Sequence, residues 1–166
     1  LGKTAYGSNK LIEKLYFAKG QAVVNFYFSK SCQDEDVLIF HEIFTCVSYV
    51  EKCKSNGIKP KPFVLVLHTN GEIFKMLRVY YPHFANSKYE KRMERIVLKI
   101  LEISKKIVFV SKLSCNHFLD MYPKYRQKAI VVYNGIAESE IEYRPIYDGK
   151  VRMITVGTVN ARKNQK

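Results

Sequence analysis

Short apolar runs alternate with longer segments of helical period along most of this chain, and that alternation constrains the fold more than any other feature. The runs at 36–41 (DVLIFH), 62–68 (PFVLVLH), 107–110 and 129–133 are four to seven residues long, rich in β-branched side chains and apolar at successive positions. Strands of that kind are buried on both faces. With helices between them they predict an α/β fold, a parallel sheet with helices on both faces. A further run at 22–28 (AVVNFYF) reads as another strand, preceded by a helix over 8–19 that Gly20 stops. Helices are also expected over 42–56, closed by Gly57, over 87–106, and over 111–122, stopped by Pro123. The helix over 87–106 is the clearest: Ser87 and Glu90 fit a capping box, and Tyr89, Met93, Ile96, Val97, Ile100 and Leu101 form one apolar stripe. Strand order is expected to reverse near the His41 and His68 loops, with both histidines at one end of the sheet. Residues 137–150 look like a connector holding Pro145 and Gly149, and 151–156 starts a new strand.

Composition removes several classes. Hydrophobic residues make up 47% of the chain, more than a disordered chain carries. No apolar run approaches the ~20 residues of a spanning helix, and the opening residues have no secretory pattern. Position 1 is Leu rather than Met, so the chain is expected to begin inside a longer one. Cys32, Cys46, Cys53 and Cys115 show neither C-x-x-C nor zinc-ligand spacing, so no metal site is expected. Cys46 and Cys53, seven apart on a helix, read as two small buried thiols in a reducing cytosol. Net charge is +13, with pI near 9.6, which calls for a polyanionic partner: nucleic acid, an anionic membrane face or a phosphorylated substrate.

Open parallel sheets bind ligands at the carboxyl ends of their strands, and that rule selects the residues to inspect. P-loop, G-x-G-x-x-G and G-x-S-x-G motifs are all absent, which argues against a P-loop NTPase, a dinucleotide oxidoreductase and a serine hydrolase. His41 and Glu42 follow a strand directly. They could orient a sugar hydroxyl or phosphate, or Glu42 could be a first-turn carboxylate favoured by the helix dipole while His41 packs. His68 ends a strand before Thr69, Asn70 and Gly71; a ligand-facing cluster and an ordinary turn fit equally well. Ser111 can cap the helix it precedes. The segment 71–84 interleaves Lys75 and Arg78 with aromatics, as does a base-stacking or interfacial segment, and equally a packed helix with snorkelling cations. Gly157 with Arg162 and Lys163 makes a loop suited to a pyrophosphate.

Taken in order, these segments resemble the retaining glycosyltransferases of family 4, whose GT-B fold sets two Rossmann-like domains across a cleft. AYGSNKLIEKL resembles the glycine loop and helix of the first domain, DVLIFHE its strand ending in H-D/E, and VLHTN its strand ending in His. KKIVFVSKLSCNHFLDMYP and KAIVVYNGI are similar to its later strands, and VRMITVGTVNARKNQ to the first strand and phosphate loop of the second domain. The resemblance implies an acceptor-side domain over 1–147, short of its first strand, and the truncated start of a nucleotide-sugar-binding domain over 148–166. It implies that Gly7 and Ser8 lie beside the donor phosphates or the acceptor, with donor binding preferred, that His41, Glu42 and Asn70 line the acceptor site, and that His68 is catalytic and faces the transferred sugar. Gly157, Arg162 and Lys163 would hold the diphosphate. Thr158 stands where the family has Arg, Ala137 where it often has Asp, and the E-x7-E motif of the second domain is absent.

The expected activity is therefore transfer of a hexose, with retention, from a nucleoside-diphosphate sugar to a glycan, lipid or protein acceptor. No cofactor or metal is expected, and this stretch alone is expected to be inactive. A cytoplasmic enzyme is implied, attached peripherally to the inner face of an anionic membrane through helix 87–106 and segment 71–84. Two competing functions are a basic nucleic-acid-binding α/β module, which lacks any RRM, KH or helix-turn-helix signature, and a non-catalytic, membrane-docked partner of another transferase.

Overall fold

The computed structural model describes residues 8–30 and 37–135. The connector at 137–150, the strand at 151–156, Gly7, Cys32, Gly157, Arg162 and Lys163 lie outside these residues. The first element corrects the sequence expectation: 22–28 is not a strand, and one helix, α1, runs Asn9–Ser29. The seven-residue run continues the helical register of the segment before it. Ile12, Gly20 and Val24 fall on one buried face, and tertiary packing overrides the β-propensity of the run. Gly20 does not stop the helix. A Cβ there would stand 2.6 Å from the Phe44 carbonyl oxygen and 2.7 Å from Ser48 Oγ, so glycine lets a second helix approach backbone to backbone.

That second helix, α2 (Ile43–Ser55), follows the short strand β1 (Leu38–Phe40). Glu42 is its N-cap, taking the amides of Phe44 at 2.9 Å and Thr45 at 2.6 Å. It closes as expected at Gly57, whose φ of +67° supports a Schellman turn: the Ile58 amide donates to the Cys53 carbonyl at 2.9 Å. Strand β2 (Phe63–Leu67) leads through α3 (Lys75–Tyr80) and a 3-10 turn at Pro82–Phe84 to α4 (Lys88–Ile103). Ser87 Oγ caps α4 by accepting the Glu90 amide at 3.2 Å. The Glu90 carboxylate reaches back to the Asn86 amide and pairs with Arg78 Nε at 2.7 Å while almost fully buried. Strand β3 (Lys106–Phe109), helix α5 (Lys112–Met121) capped by Ser111, a 3-10 turn at Pro123–Tyr125 and strand β4 (Ala129–Val131) complete the order.

The four strands are parallel and ordered β1-β2-β3-β4. No reversal occurs among the described strands, contrary to expectation. The fold is the expected Rossmann-like α/β arrangement. Right-handed crossovers between consecutive neighbours carry their helices to the same side of a sheet. Phe63, Leu65, Leu67, Ile107 and Phe109 accordingly enter the core beneath the helices. Their alternates Ile39, Val64, Val66 and Ile130 lie outside both core clusters of the described residues, and Ile39 is 63% exposed. The described helices thus supply one of the two expected layers. Cys46, Cys53 and Cys115 are free, buried thiols.

The apolar stripe of α4 faces inward: Met93, Val97, Ile100 and Leu101 are all buried. It is therefore unavailable to a membrane, which corrects that part of the docking expectation. No helix among the described residues is long and apolar enough to cross a membrane.

Candidate functional site

Because β1 and β2 are parallel neighbours, with Leu38 beside Phe63 and Phe40 beside Leu65, their carboxyl ends place His41 and His68 side by side. The rings stack at a centroid distance of 5.3 Å and an interplanar angle of 20°. His41 Nδ1 and His68 Nε2 are 3.0 Å apart, a hydrogen bond between two exposed side chains 27 residues apart in sequence. In such a bond one nitrogen must carry the proton and the other must lack it. His41 Nε2 and His68 Nδ1 are left outside this bond. In the neutral pair, one of these is a donor and the other an acceptor, and exchanging the tautomers exchanges the two roles.

The surrounding groups fix this pair rather than extend it. Glu42 spends its carboxylate on the first turn of α2, taking two amides and the Thr45 hydroxyl at 3.0 Å. Its geometry is that of the capping alternative. A cavity of about 350 Å3 opens beside His41, walled by Phe40, Glu42, Thr45, Tyr27 and Tyr49. Burial pushes the Tyr49 hydroxyl up to about 12, against the opposing pull of the Lys61 amide that donates to it at 3.0 Å. Tyr49 is therefore a neutral wall. A larger groove of about 690 Å3 lies between α1 and α4 and touches neither histidine. The smaller cavity is the candidate to inspect: His41 lines it, and His68 stands beside His41 at the next strand end.

After β2, Asn70 is exposed and its carbonyl lies 3.3 Å from His117 Nδ1. Gly71 has φ of +94°, and a Cβ there would stand 2.6 Å from the Ser114 carbonyl oxygen. Glycine is thus required twice over, for the left-handed backbone and for the close seat of this loop on α5. Thr69 Oγ1 is buried without a hydrogen-bond partner among the described residues. His117 did not emerge from the sequence, because it lies two helical turns beyond a strand end rather than on it. The signal that could have found it was the capped start of α5 at Ser111, which places its first turns beside the loop after β2.

Ser8 stands exposed at the N-terminus of α1, with no capping bond from its side chain; its neighbour Asn9 donates from Nδ2 to the His83 carbonyl at 3.2 Å. His41 and His68 are therefore brought together, Glu42 adjoins them with its carboxylate engaged, and Asn70 sits on the next loop. Gly7, Gly157, Arg162 and Lys163 lie outside the described residues. Among the described residues no group of three or more His, Cys, Asp or Glu could hold a metal ion.

Comparison with known proteins gives one positive result. No curated protein and no solved structure matches the chain. Residues 26–140 match the model of Glycosyltransferase Family 4, a span that takes in all four strands and both stacked histidines, and the chain belongs to that family.

Proposed function

We propose that this chain is the acceptor-side half of a glycosyltransferase that moves a hexose from a nucleoside-diphosphate sugar to a glycan, lipid or protein acceptor with retention at the anomeric carbon. The observation that carries the reading is the His41–His68 pair. Vicinal hydroxyls of a pyranose each donate and accept, and a pair offering one donor and one acceptor at neighbouring strand ends is matched to them. Tautomer exchange lets the same two rings accept either polarity of hydroxyl network. In this reading His68 contacts the transferred sugar and His41 holds the ring of His68 in place. Asn70 and the cavity beside His41 receive the acceptor. Residues 148–166 open the donor domain, and Gly157, Arg162 and Lys163, with Gly7 and Ser8, are the residues assigned to the diphosphate. Catalysis then rests on positioning and on stabilising the leaving diphosphate. The excess of cations suits phosphorylated substrates and a cytoplasmic enzyme working at an anionic membrane surface.

The test is turnover of the full protein over a panel of nucleotide sugars, with the anomeric configuration of the product read by NMR. His68→Ala is expected to lower kcat by roughly 100-fold, in the range of a lost acid–base or polar contact. It should change unfolding free energy by less than about 1 kcal/mol, since an exposed side chain loses one hydrogen bond. His41→Phe keeps the stack and deletes Nδ1, so it should lower kcat less than His68→Ala does. Transfer from no nucleotide sugar, or full turnover with His68→Ala, refutes the reading.

A further inference from the structure

The long helix that replaces the expected strand leaves an unusual outer surface. Ile12, Gly20 and Val24 of α1 are buried and face the domain. Leu11, Leu15, Ala18, Ala22 and Phe26 recur at four, three, four and four residues along the opposite side, all exposed, with Phe26 at 65%. At 1.5 Å per residue this is an apolar line of roughly 20–25 Å on the surface of the domain. A solvated helix face has no use for such a line, and a monomer seldom exposes one.

Cations border the line on both sides. On one side Lys10 and Lys14 form the lip of the groove between α1 and α4, where Lys88, Arg92 and Arg95 complete the wall. Glu13 is the only carboxylate among the groove's lining residues. It is almost buried, and Arg92 Nε lies 3.6 Å from it. On the other side the Lys19 ammonium lies over the Tyr16 ring, and at the far end Lys30 lies over Phe26, each 5.4 Å from the ring centroid.

We propose that this face of α1, with the α1–α4 groove, seats on the surface of an anionic lipid bilayer. Leu11, Leu15 and Phe26 enter the boundary between headgroups and acyl chains, while Lys10, Lys14, Lys88, Arg92 and Arg95 meet the lipid phosphates. The combination selects a bilayer over nucleic acid. A strand of nucleic acid needs cations with several exposed aromatic platforms; the exposed line carries one aromatic side chain, Phe26, among aliphatic ones, and the groove's Phe17 and Tyr89 are only partly exposed. It selects an anionic surface over a neutral one because the groove's cations outnumber its carboxylate. The inference rests on the membrane-surface part of the proposed function and not on turnover, so failure on vesicles leaves the transferase reading standing.

Co-sedimentation of the whole chain with vesicles tests it, using phosphatidylcholine alone and phosphatidylcholine mixed with phosphatidylglycerol. Binding is expected only to the mixed vesicles, and to weaken as salt rises, because screening shortens the reach of the cations. Leu15→Ser with Phe26→Ser, and separately Lys10→Gln with Lys14→Gln, should each lower partitioning at least roughly tenfold, the order expected from losing a buried apolar anchor or two surface cations. Thermal melts should be unchanged, since all four side chains are exposed. The proposal is overturned by failure on both vesicle types at low salt, or by unaltered binding in either double variant. Displacement from the vesicles by a single-stranded oligonucleotide at equal phosphate would also overturn it and reassign the groove to nucleic acid.

Discussion

Gly20→Ala decides whether α1 is one continuous helix seated on α2. In a free helix the substitution is stabilising, because alanine is favoured over glycine by about 1 kcal/mol in a helix interior. At this position the new Cβ would meet the Phe44 carbonyl oxygen at 2.6 Å, Ser48 Oγ at 2.7 Å and Thr45 Cα at 2.8 Å. Two of these atoms are backbone of α2, so no rotamer change clears them. Ordinary carbon contacts lie near 3.5–4.0 Å, so the helices must separate by about 1 Å along this contact. That separation also stretches the bond from Ser48 Oγ to the Phe17 carbonyl, already 3.3 Å long. Overpacking of this kind costs about 1–3 kcal/mol or more, and with backbone on both sides the upper end applies. The net expectation is a loss of roughly 1–2 kcal/mol, or a fall in Tm of about 2–8 °C for a domain of this size. Urea melts followed by circular dichroism measure it. A stability equal to or above that of the parent would mean that Gly20 ends a helix in solvent. It would refute both the packing of α1 on α2 and the outer face that follows from it.

Three further outcomes are expected. Glu42→Ala removes an N-cap that takes two amides, and should cost about 1–2 kcal/mol in urea melts; a drop in acceptor affinity with no loss of stability would make Glu42 an acceptor ligand rather than a cap. Glu90→Gln keeps the shape but strips the charge facing Arg78 and the Asn86 amide, and should cost about 1–3 kcal/mol, below the full cost of a buried pair because Arg78 is partly exposed and can turn to water. Burial pushes the Cys46 thiol, and more weakly that of Cys115, above its ordinary range, so both favour the protonated form across the physiological range. In a timed reaction of native protein with a thiol reagent these two should label slowly and only on unfolding, and prompt labelling of either would contradict its burial.

The sequence showed clearly where strands end, because β-branched runs stop sharply at His41, His68 and Ser111 and each stop carries its own polar signal. It also showed the caps: Ser87, Ser111 and Gly57 act through bonds to residues within five positions, the range a single sequence displays. The run at 22–28 was misjudged because its six apolar and aromatic residues, broken only by Asn25, suit a strand by composition. What makes it helical is its partner, since Gly20 and Val24 meet α2 across a contact that no local pattern announces. The histidine pair was half legible. Each ring could be placed at a strand end, but the 3.0 Å bond between them depends on β1 and β2 being direct neighbours, and strand order was the part of the topology that was misread. The helix has its own consequence: continued through 22–28, it turns Phe26 outward on the same face as Leu15. The error in secondary structure therefore concealed the surface proposed to carry the domain to a membrane.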